Sequence, residues 1–351
     1  MTRYISGAVA GVAALTFVAG ASATASADAV ADFYKGRQVT LLVGYGVGGT
    51  YTHYARLMER YMPPFIPGNP TIVVQNMPGA GGMKMTNYAY NVAPKDGSVL
   101  MVPSDSIIIS QMLTPKAAKY KTNEFTWIGN LIESNSVVVV RSDAGVRSLD
   151  DIRKKQIIIS STGKGSQTFL VPSMLKGVFG ADFKIVMGYK GSKGSLHAIE
   201  QNETQGTSLT WLAYVTGKPE WFKGPRDQWK GIPVVQVGFT REKDLPWVPL
   251  ARDLAKSKDD RQIVDFIASL GPIGRGMAAL PGTGKDKIAA LRKAFDRMVK
   301  DPNVAADAKK RKLRLNPKSG EEVQKIVENV LTMPPNLVRR AQTLIMGKPS
   351  S

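Results

Sequence analysis

Glycine-rich turns are the features of this sequence whose residue types and spacing could bind a charged ligand. The first turn spans residues 44–49, and similar turns follow at 76–82, 161–166 and 188–194. Each lies between a run typical of a buried strand and a run with the spacing of an amphipathic helix. The backbone N–H groups of such a turn lie at the positive end of a helix dipole, and glycine lets a ligand approach them closely. The turns therefore predict an anion site that needs no charged side chain.

The first turn also satisfies the dinucleotide-binding pattern G-x-G-x-x-G between a strand and a helix. The acidic residue that such a site requires after the second strand is absent, because Gln75-Asn76 stands there. Residues 161–164 and 173–176 both fit the S-x-x-K pattern, but its S-D-N and K-T-G partner motifs do not occur. We therefore expect no catalytic residues and no dinucleotide.

The composition excludes several further kinds of site. The chain has 351 residues, 47 Lys and Arg against 28 Asp and Glu, a formal net charge of +19, two His and no Cys. Without cysteine there is no disulfide, no thiolate zinc site, no cysteine nucleophile and no lipidated cysteine. His53 follows the first turn and could contact a ligand, but it is interpreted as a surface helix residue and His197 as a structural one. We expect neither a metal site nor any other cofactor.

The excess of Lys and Arg favours polyanions such as nucleic acids or acidic membranes. The densest basic run is Lys309–Lys312 followed by Arg314, and its pattern is that of a polar helix. We interpret this run as a solvated helix face. A basic surface-binding protein nevertheless stays an alternative, because the sequence does not show whether the charges cluster on one face.

The first 27 residues have the three parts of a secretory signal peptide. Arg3 supplies a basic start, residues 5–21 are uncharged and apolar or small, and Ala25-Ser26-Ala27 matches a cleavage site. The apolar run is too short for a membrane anchor. We therefore expect an exported protein without residues 1–27 and without a lipid anchor, and we expect no nucleic-acid partner.

Short β-branched runs alternate with helical patterns along the rest of the chain, which predicts parallel βαβ units and an α/β fold. One set ends with the apolar run Val137–Val140, and the next opens with a capping-box pattern at Ser148–Asp151. We place the crossing between two domains near Arg141 and the return near residues 271–280. The predicted units are a signal peptide (1–27), lobe 1 (28–140 plus 271–351) and lobe 2 (141–270).

Motifs spread over the mature chain occur in an order that resembles one known family. They are Phe33–Val39, Gly48-Gly49, Ala55-Arg56, Asn76–Gly81, Ala93–Gly97, Tyr189–Gly191, Ala289–Phe295 and Lys300–Pro302. This order resembles the tripartite tricarboxylate transporter receptor family, the Bug-type periplasmic solute-binding proteins. The N-x-P-G-A-G and A-P-x-D-G motifs are the most specific part of the resemblance.

The resemblance implies a type II periplasmic-binding-protein fold, with a ligand cleft between two α/β lobes. It implies a monomeric periplasmic receptor, not an enzyme, that captures a small carboxylate by hinge closure and delivers it to an inner-membrane permease. Main-chain amides and ordered water would hold the ligand. Carried onto this chain, the expected ligand-binding residues are Tyr45, Val47, Gly48, Gly49, Thr50, Tyr51, Thr52, Ala80, Gly81, Gly82, Ser104, Ser106, Ser161, Thr162, Gly163, Lys164, Gly165, Ser166, Tyr189, Lys190 and Gly191.

The first turn departs from the family pattern. Where relatives have Pro-Pro before Gly-Gly and an Asp three residues after it, this chain has Gly46-Val47 and Thr52. An Asp at that position could pair with a ligand ammonium. Because this chain lacks it, we expect the ligand to be a carboxylate that carries no amino group. An exported α/β enzyme acting on a small carboxylate remains the alternative function.

Overall fold

Two mixed β-sheets with helices packed around them organise the chain in the computed structural model, which describes residues 29–347. The predicted signal peptide lies outside the described residues. The strands are β1 (Gln38–Val43), β2 (Thr71–Asn76), β3 (Val99–Val102), β4 (Thr126–Asn130), β5 (Ser136–Arg141), β6 (Ile157–Ser161), β7 (Phe183–Met187), β8 (Gly206–Thr210), β9 (Gly231–Val237), β10 (Gly276–Ala279) and β11 (Lys318–Ser319).

The two sheets follow the same plan. The first has the order β11-β4-β10-β3-β1-β2 and the second the order β7-β6-β8-β5-β9. β1 is parallel to β2 and β3, and β6 is parallel to β7 and β8. β10 runs antiparallel between β3 and β4, and β5 runs antiparallel between β8 and β9. In each sheet the antiparallel inserted strand is the one that the chain enters on crossing from the other sheet. The units around the two sheets are called the first lobe and the second lobe.

Helices connect the strands and cover both sheets. They are α1 (Thr50–Tyr61), α2 (Met83–Asn91), α3 (Ile107–Leu113), α4 (Leu149–Lys154), α5 (Gln167–Phe179), α6 (Ser192–Glu200), α7 (Trp211–Gly217), α8 (Ala251–Leu254), α9 (Lys258–Ala268), α10 (Leu270–Ile273), α11 (Lys285–Met298), α12 (Pro302–Lys310), α13 (Gly320–Leu331) and α14 (Pro335–Met346). Within residues 29–347, none of them has the length and apolarity that a membrane crossing requires.

The start of α4 illustrates how local sequence sets a helix boundary. Ser148 Oγ accepts a hydrogen bond from the Asp151 amide at 3.1 Å, and Asp151 Oδ2 accepts one from the Ser148 amide at 3.0 Å. These reciprocal bonds satisfy two amides that the helix leaves free. The predicted capping box is therefore confirmed.

The crossing from the first lobe to the second lies earlier than the sequence predicts. Val137–Val140 forms most of β5, which pairs with β8 and β9 of the second sheet. The chain therefore crosses within residues 131–135, and the predicted crossing at Arg141 lies at the far end of a second-lobe strand. A fully apolar run indicates a buried strand, but it does not reveal which sheet that strand joins.

The last helix also departs from the predicted division, which placed residues 271–351 in lobe 1. α14 packs against α5 and α9 of the second lobe as well as against α3 of the first. Arg340 pairs with Asp260 at 2.7 Å, and Gln342 Nε2 donates to the Met112 carbonyl at 2.9 Å. An amphipathic helix that buries its apolar stripe against both lobes has the same sequence pattern as one that buries it in one lobe.

Candidate functional site

The glycine-rich turns of the two lobes face each other across a cleft and are in direct contact. The Gly46 amide donates to the Lys190 carbonyl at 2.6 Å, and the Gly81 amide donates to the Thr162 carbonyl at 3.1 Å. Ser106 Oγ donates to the Gly165 carbonyl at 2.7 Å. Each of these bonds joins the first lobe to the second, so the cleft is closed in this conformation.

A small space of about 20 Å³, the inner cavity, remains inside the closed cleft. This volume accommodates about one water-sized group. Its walls come from the first lobe, the second lobe and the segment that returns between them. The lining residues are Tyr45, Gly49, Thr50, Tyr51, Thr162, Gln167, Thr168, Ser192, Leu209, Thr210, Ala213 and Arg275.

Three helices begin at the inner cavity. The N-terminal caps of α1, α5 and α6 are Gly49, Ser166 and Gly191, and none of them makes a side-chain capping hydrogen bond. The first amides of these helices carry partial positive charge and have no intrahelical acceptor. The inner cavity therefore lies where the positive ends of three helix dipoles converge, an arrangement that favours an anion.

Arg275 adds a full positive charge to the wall of the inner cavity. Its side chain is buried, and Nη1 lies 3.2 Å from Asp105 Oδ2. Nη2 donates to Thr50 Oγ1 at 3.2 Å and to Thr210 Oγ1 at 3.1 Å, so the guanidinium contacts both lobes. It also lies over the Tyr51 ring, 3.9 Å from the centroid. Arg275 Nε and Asp105 Oδ1 have no hydrogen-bond partner in the described residues.

Burial shifts the ionisation of the groups around Arg275. Burial raises the pKa of Asp105 and outweighs the opposing effect of the Arg275 guanidinium. Burial also raises the pKa of Tyr45 and Tyr51, which therefore remain protonated hydrogen-bond donors at neutral pH. Burial alone would lower the pKa of Arg275, but Tyr51 and Asp105 raise it, so the guanidinium stays charged.

A chain of hydroxyl groups lies behind the inner cavity. Tyr45 Oη and Ser104 Oγ are 2.7 Å apart, and Ser104 Oγ and Ser106 Oγ are 2.6 Å apart. Ser106 continues the chain to Gly165 of the second lobe, and Ser110 Oγ donates to the same carbonyl at 3.1 Å. Ser106 and Ser110 therefore join the lobes to each other, and none of the three serines lines the inner cavity.

A second and larger space, the outer chamber, adjoins the inner cavity. It has a volume of about 440 Å³ and shares three lining residues with the inner cavity: Thr50, Ser192 and Ala213. The other residues of its lining are Gly48, His53, Lys193, Leu196, His197, Glu200, Thr216, Gly217 and Lys218. Both histidines of the sequence therefore line this chamber, although the sequence predicts a surface role for His53 and a structural role for His197.

The predicted ligand-binding residues occupy three different positions. Tyr45, Gly49, Thr50, Tyr51 and Thr162 line the inner cavity. A second group joins or stabilises the facing turns without lining that cavity: Thr52, Ala80, Gly81, Gly82, Ser104, Ser106, Ser161, Gly163, Gly165 and Ser166. The Lys190 carbonyl accepts a hydrogen bond from the Gly46 amide across the cleft, and Gly191 is buried at the start of α6. The remaining residues lie on the outer side of the cleft or in solvent: Val47, Gly48, Lys164 and Tyr189.

Thr52 stands where the family pattern has an Asp, and its contacts are with the first turn. Thr52 Oγ1 donates to the Gly46 carbonyl at 3.3 Å and accepts from Asn76 Nδ2 at 2.8 Å. The same Asn76 amide nitrogen donates to the Tyr45 carbonyl at 2.7 Å. Thr52, together with Asn76, therefore stabilises the first turn, which leads into the start of α1 at the inner cavity.

The sequence prediction missed the charged residue of the site. Arg275 is the only charged residue in the apolar stretch from Phe266 to Leu280, and that isolation is the signal by which it could have been found. Gln167, Thr168 and Ser192 were also missed, although each lies at or just beyond a helix start that a glycine turn marks. Thr210 was missed too, and no glycine turn marks it, because β8 leads directly into α7. Within residues 29–347, no group of three or more acidic or histidine side chains could hold a metal ion.

Two α/β lobes that close over a cavity at helix N-termini define a two-lobed solute-binding protein. The sequence profile of the tripartite tricarboxylate transporter family receptor, TctC, matches residues 68–340. The chain therefore belongs to this family, whose members are solute-binding receptors and not enzymes.

Individual relatives agree with this assignment. The UPF0065 protein in the gbd 5′ region of Cupriavidus necator is 24% identical over 310 residues, which cover 84% of each chain. The solved structure of the periplasmic binding protein BugD has a TM-score of 0.69 at 19% identity and covers 88% of this chain and 98% of its own. MatC from Rhodopseudomonas palustris was solved with bound malate. It has a TM-score of 0.67 at 20% identity, and the match covers 86% of this chain and 99% of MatC. At these identities the two structures establish the shared fold.

Proposed function

We propose that this receptor captures a small carboxylate in the inner cavity by hinge closure and delivers it to a membrane permease. The observation that carries the proposal is the convergence of three helix N-termini and the Arg275 guanidinium on the inner cavity. Helix N-termini and a guanidinium both stabilise a carboxylate, and both destabilise a cation in the same place. The ligand class is therefore anionic.

The ligand's carboxylate is expected to bind backbone amides and the Arg275 guanidinium in the wall of the inner cavity. Asp105 neutralises part of the Arg275 charge, but Nε has no partner in the described residues and remains available to an acceptor. The malate bound in MatC supports a carboxylate for this chain as well, since the two proteins share the fold. Thr52 is occupied with the first turn, which supports a ligand without an amino group.

Opening of the cleft is required for binding, because about 20 Å³ is too small for a C4 dicarboxylate. The chain passes between the lobes at residues 131–135 and 270–275, and these segments are the hinge. Opening breaks the bonds from Gly46, Gly81 and Ser106 to the second lobe. A ligand that bridges both lobes therefore stabilises the closed form, which is the form that a permease would recognise.

The sequence supports export of this receptor to the periplasm without a lipid anchor. The pattern of residues 1–27 indicates a cleaved signal peptide, and the chain has no cysteine for a lipid anchor. The intact mass of protein purified from its own host tests this proposal. A mass that retains residues 1–27 or includes a lipid would contradict it.

Native mass spectrometry of the protein from its own host tests the proposed ligand class. We expect a complex that releases a small carboxylate on denaturation, and calorimetry should then show that the identified acid binds. Small-angle scattering should show a smaller radius of gyration when that acid is added. Release of a cation or a neutral sugar, or binding without any compaction, would contradict carboxylate capture by hinge closure.

A further inference from the structure

Gln167 places a buried side-chain amide in the wall of the inner cavity. It is the first residue of α5 and is 5% exposed. Ser136 Oγ donates a hydrogen bond to Gln167 Oε1, whereas Gln167 Nε2 has no hydrogen-bond partner in the described residues. Because Ser136 holds the carbonyl end, the nitrogen is the part of the side chain that remains for a ligand. Gln167 therefore supplies the inner cavity with an unpaired hydrogen-bond donor.

Two threonine hydroxyls in the same wall are also arranged to donate. Arg275 Nη2 donates to Thr50 Oγ1 of the first lobe at 3.2 Å and to Thr210 Oγ1 of the second lobe at 3.1 Å. A guanidinium only donates, so both oxygens are acceptors in these bonds and each hydroxyl keeps its own proton. Neither hydroxyl donates to another group in the described residues. The inner cavity therefore has side-chain donors from both lobes.

The inner cavity also lacks acidic side chains that would accept hydrogen bonds from a ligand. No Asp or Glu lines it within the described part of the chain. The first amides of α1, α5 and α6 and the Arg275 guanidinium are further donors. An ionised carboxylate only accepts hydrogen bonds, so it matches such a wall. A primary amide brings N–H protons that meet donors there, and a buried donor without a partner is costly.

We propose that Gln167 is a specificity-determining residue, whose side-chain amide donates to the ligand and selects an ionised carboxylate over the corresponding amide. The proposal rests on the carboxylate function proposed above, since it places that carboxylate in the inner cavity. Ser136 is the positioning residue, because its bond to Oε1 fixes which end of the Gln167 amide faces the ligand. Ser136 begins β5 directly after the hinge segment 131–135, so the donor is tied to the hinge.

Calorimetry on Gln167→Glu tests this role. The probes are unbranched mono- and dicarboxylates of two to eight carbons, each with the matched compound in which one carboxylate is a primary amide. For the wild type, we expect the acid that binds best to bind more tightly than its amide. The variant keeps the shape of the side chain but carries an anion at pH 7.5. It should bind the acid at least about 10-fold more weakly, the effect of one charged hydrogen bond, and its preference for the acid over the amide should shrink by at least this factor.

Lower pH should restore binding of the acid to Gln167→Glu, because a protonated carboxyl group donates a hydrogen bond as the amide does. The affinity relative to the wild type should rise by up to about 10-fold per pH unit between pH 7.5 and 5.0. Tyr45, Tyr51 and Arg275, the titratable groups of the lining, stay protonated over this range because their pKa values are raised. Asp105, which pairs with Arg275, is present in both proteins, so the wild type at each pH is the reference.

Gln205→Glu is the matched control, because it makes the same substitution in the second lobe at a residue that lines neither the inner cavity nor the outer chamber. Gln205 Oε1 accepts from the Ile158 amide at 2.9 Å, a bond that a carboxylate also makes. This control should change neither the affinity nor its pH dependence. Ser136→Ala should weaken the preference for the acid on the wild-type background but not on the Gln167→Glu background.

Thermal unfolding checks that each variant is folded. Equal affinities of Gln167→Glu and the wild type at pH 7.5, or a loss in the folded variant that does not recover by pH 5.0, would overturn the role of Gln167 but not the carboxylate receptor. Failure of every acid to bind the wild type would overturn both.

Discussion

Arg275 and Asp105 form a buried ion pair beneath the cleft, with Nη1 and Oδ2 3.2 Å apart. Asp105 follows β3 in the first lobe, whereas Arg275 lies on the segment by which the chain returns from the second lobe. Through Thr210, the same guanidinium also contacts the second lobe. One side chain therefore supplies positive charge to the inner cavity and links both lobes to the hinge.

Removal of one member of this pair should destabilise the protein strongly. Arg275→Met or Asp105→Leu should each lower the free energy of unfolding by about 3–5 kcal/mol, because each leaves an uncompensated buried charge. The double variant should cost less than the sum of the two single variants. Urea unfolding measures the free energy of unfolding of all three variants.

Arg241→Gln is the control, because its ion pair with Asp253 is exposed and should contribute less than about 1 kcal/mol. Equal losses for Asp105→Leu and Arg241→Gln would contradict this prediction.

The hydroxyls that bind Gly165 should determine how readily the cleft closes. Ser106→Ala with Ser110→Ala removes two donors to one carbonyl of the second lobe. We expect ligand affinity to fall by about 5- to 150-fold, since each of the two hydrogen bonds contributes about 0.5–1.5 kcal/mol. Calorimetry measures the affinity and small-angle scattering the compaction. Thr343→Ala removes a hydroxyl bond on the exposed face of α14 and should change neither the affinity nor the compaction. Unchanged affinity in the double variant would contradict the prediction.

Gly81 should be required for closure because of the space it leaves. A Cβ at this position would lie 2.6 Å from the Ser166 nitrogen and 2.7 Å from the Gly165 carbonyl carbon, both across the cleft. Gly81→Ala should therefore weaken ligand binding at least about 10-fold, since backbone on the opposite lobe cannot retreat without opening the cleft.

Gly180→Ala is the control for Gly81→Ala. Gly180 has φ +72°, close to the +67° of Gly81, but a Cβ there would meet no atom within 4 Å. Both variants should lose about 1–2 kcal/mol of stability from the left-handed backbone. Only Gly81→Ala should lose affinity in calorimetry, and equal affinities would show that the glycine is needed for its conformation alone.

His53 should make stability depend on pH. Burial is the main cause that lowers the pKa of His53 below its usual 6.5. The unfolded chain therefore binds more protons than the folded chain below about pH 6.5, so the free energy of unfolding falls as the pH drops through this range. Urea midpoints at pH 7.5, 6.5 and 5.5 measure the effect. His53→Gln should reduce the slope, and an identical slope in the variant would exclude His53 as its source.

Local signals predicted much of the cleft. The glycine turns, the strand and helix alternation and the α4 capping box each depend on the conformational preferences of neighbouring residues. Gly81 and Gly163 adopt positive φ of +67° and +133°, which explains why glycine stands at the points where the facing turns approach each other. The crossing point was predicted wrongly, because the apolar pattern of β5 carries no information about the sheet in which it pairs.

By itself, the sequence determined that this chain builds α/β lobes whose glycine turns expose backbone amides at helix starts. Only the tertiary structure decided which of those amides stay available to a ligand, because the Gly46 and Gly81 amides donate to carbonyls of the second lobe. It also decided that Arg275 meets Asp105 across 170 residues and that His53 and His197 line the same chamber. The physical reason is the distance along the chain over which each interaction acts. Backbone conformation depends on adjacent residues, whereas an ion pair such as Arg275–Asp105 forms only when packing brings distant segments together.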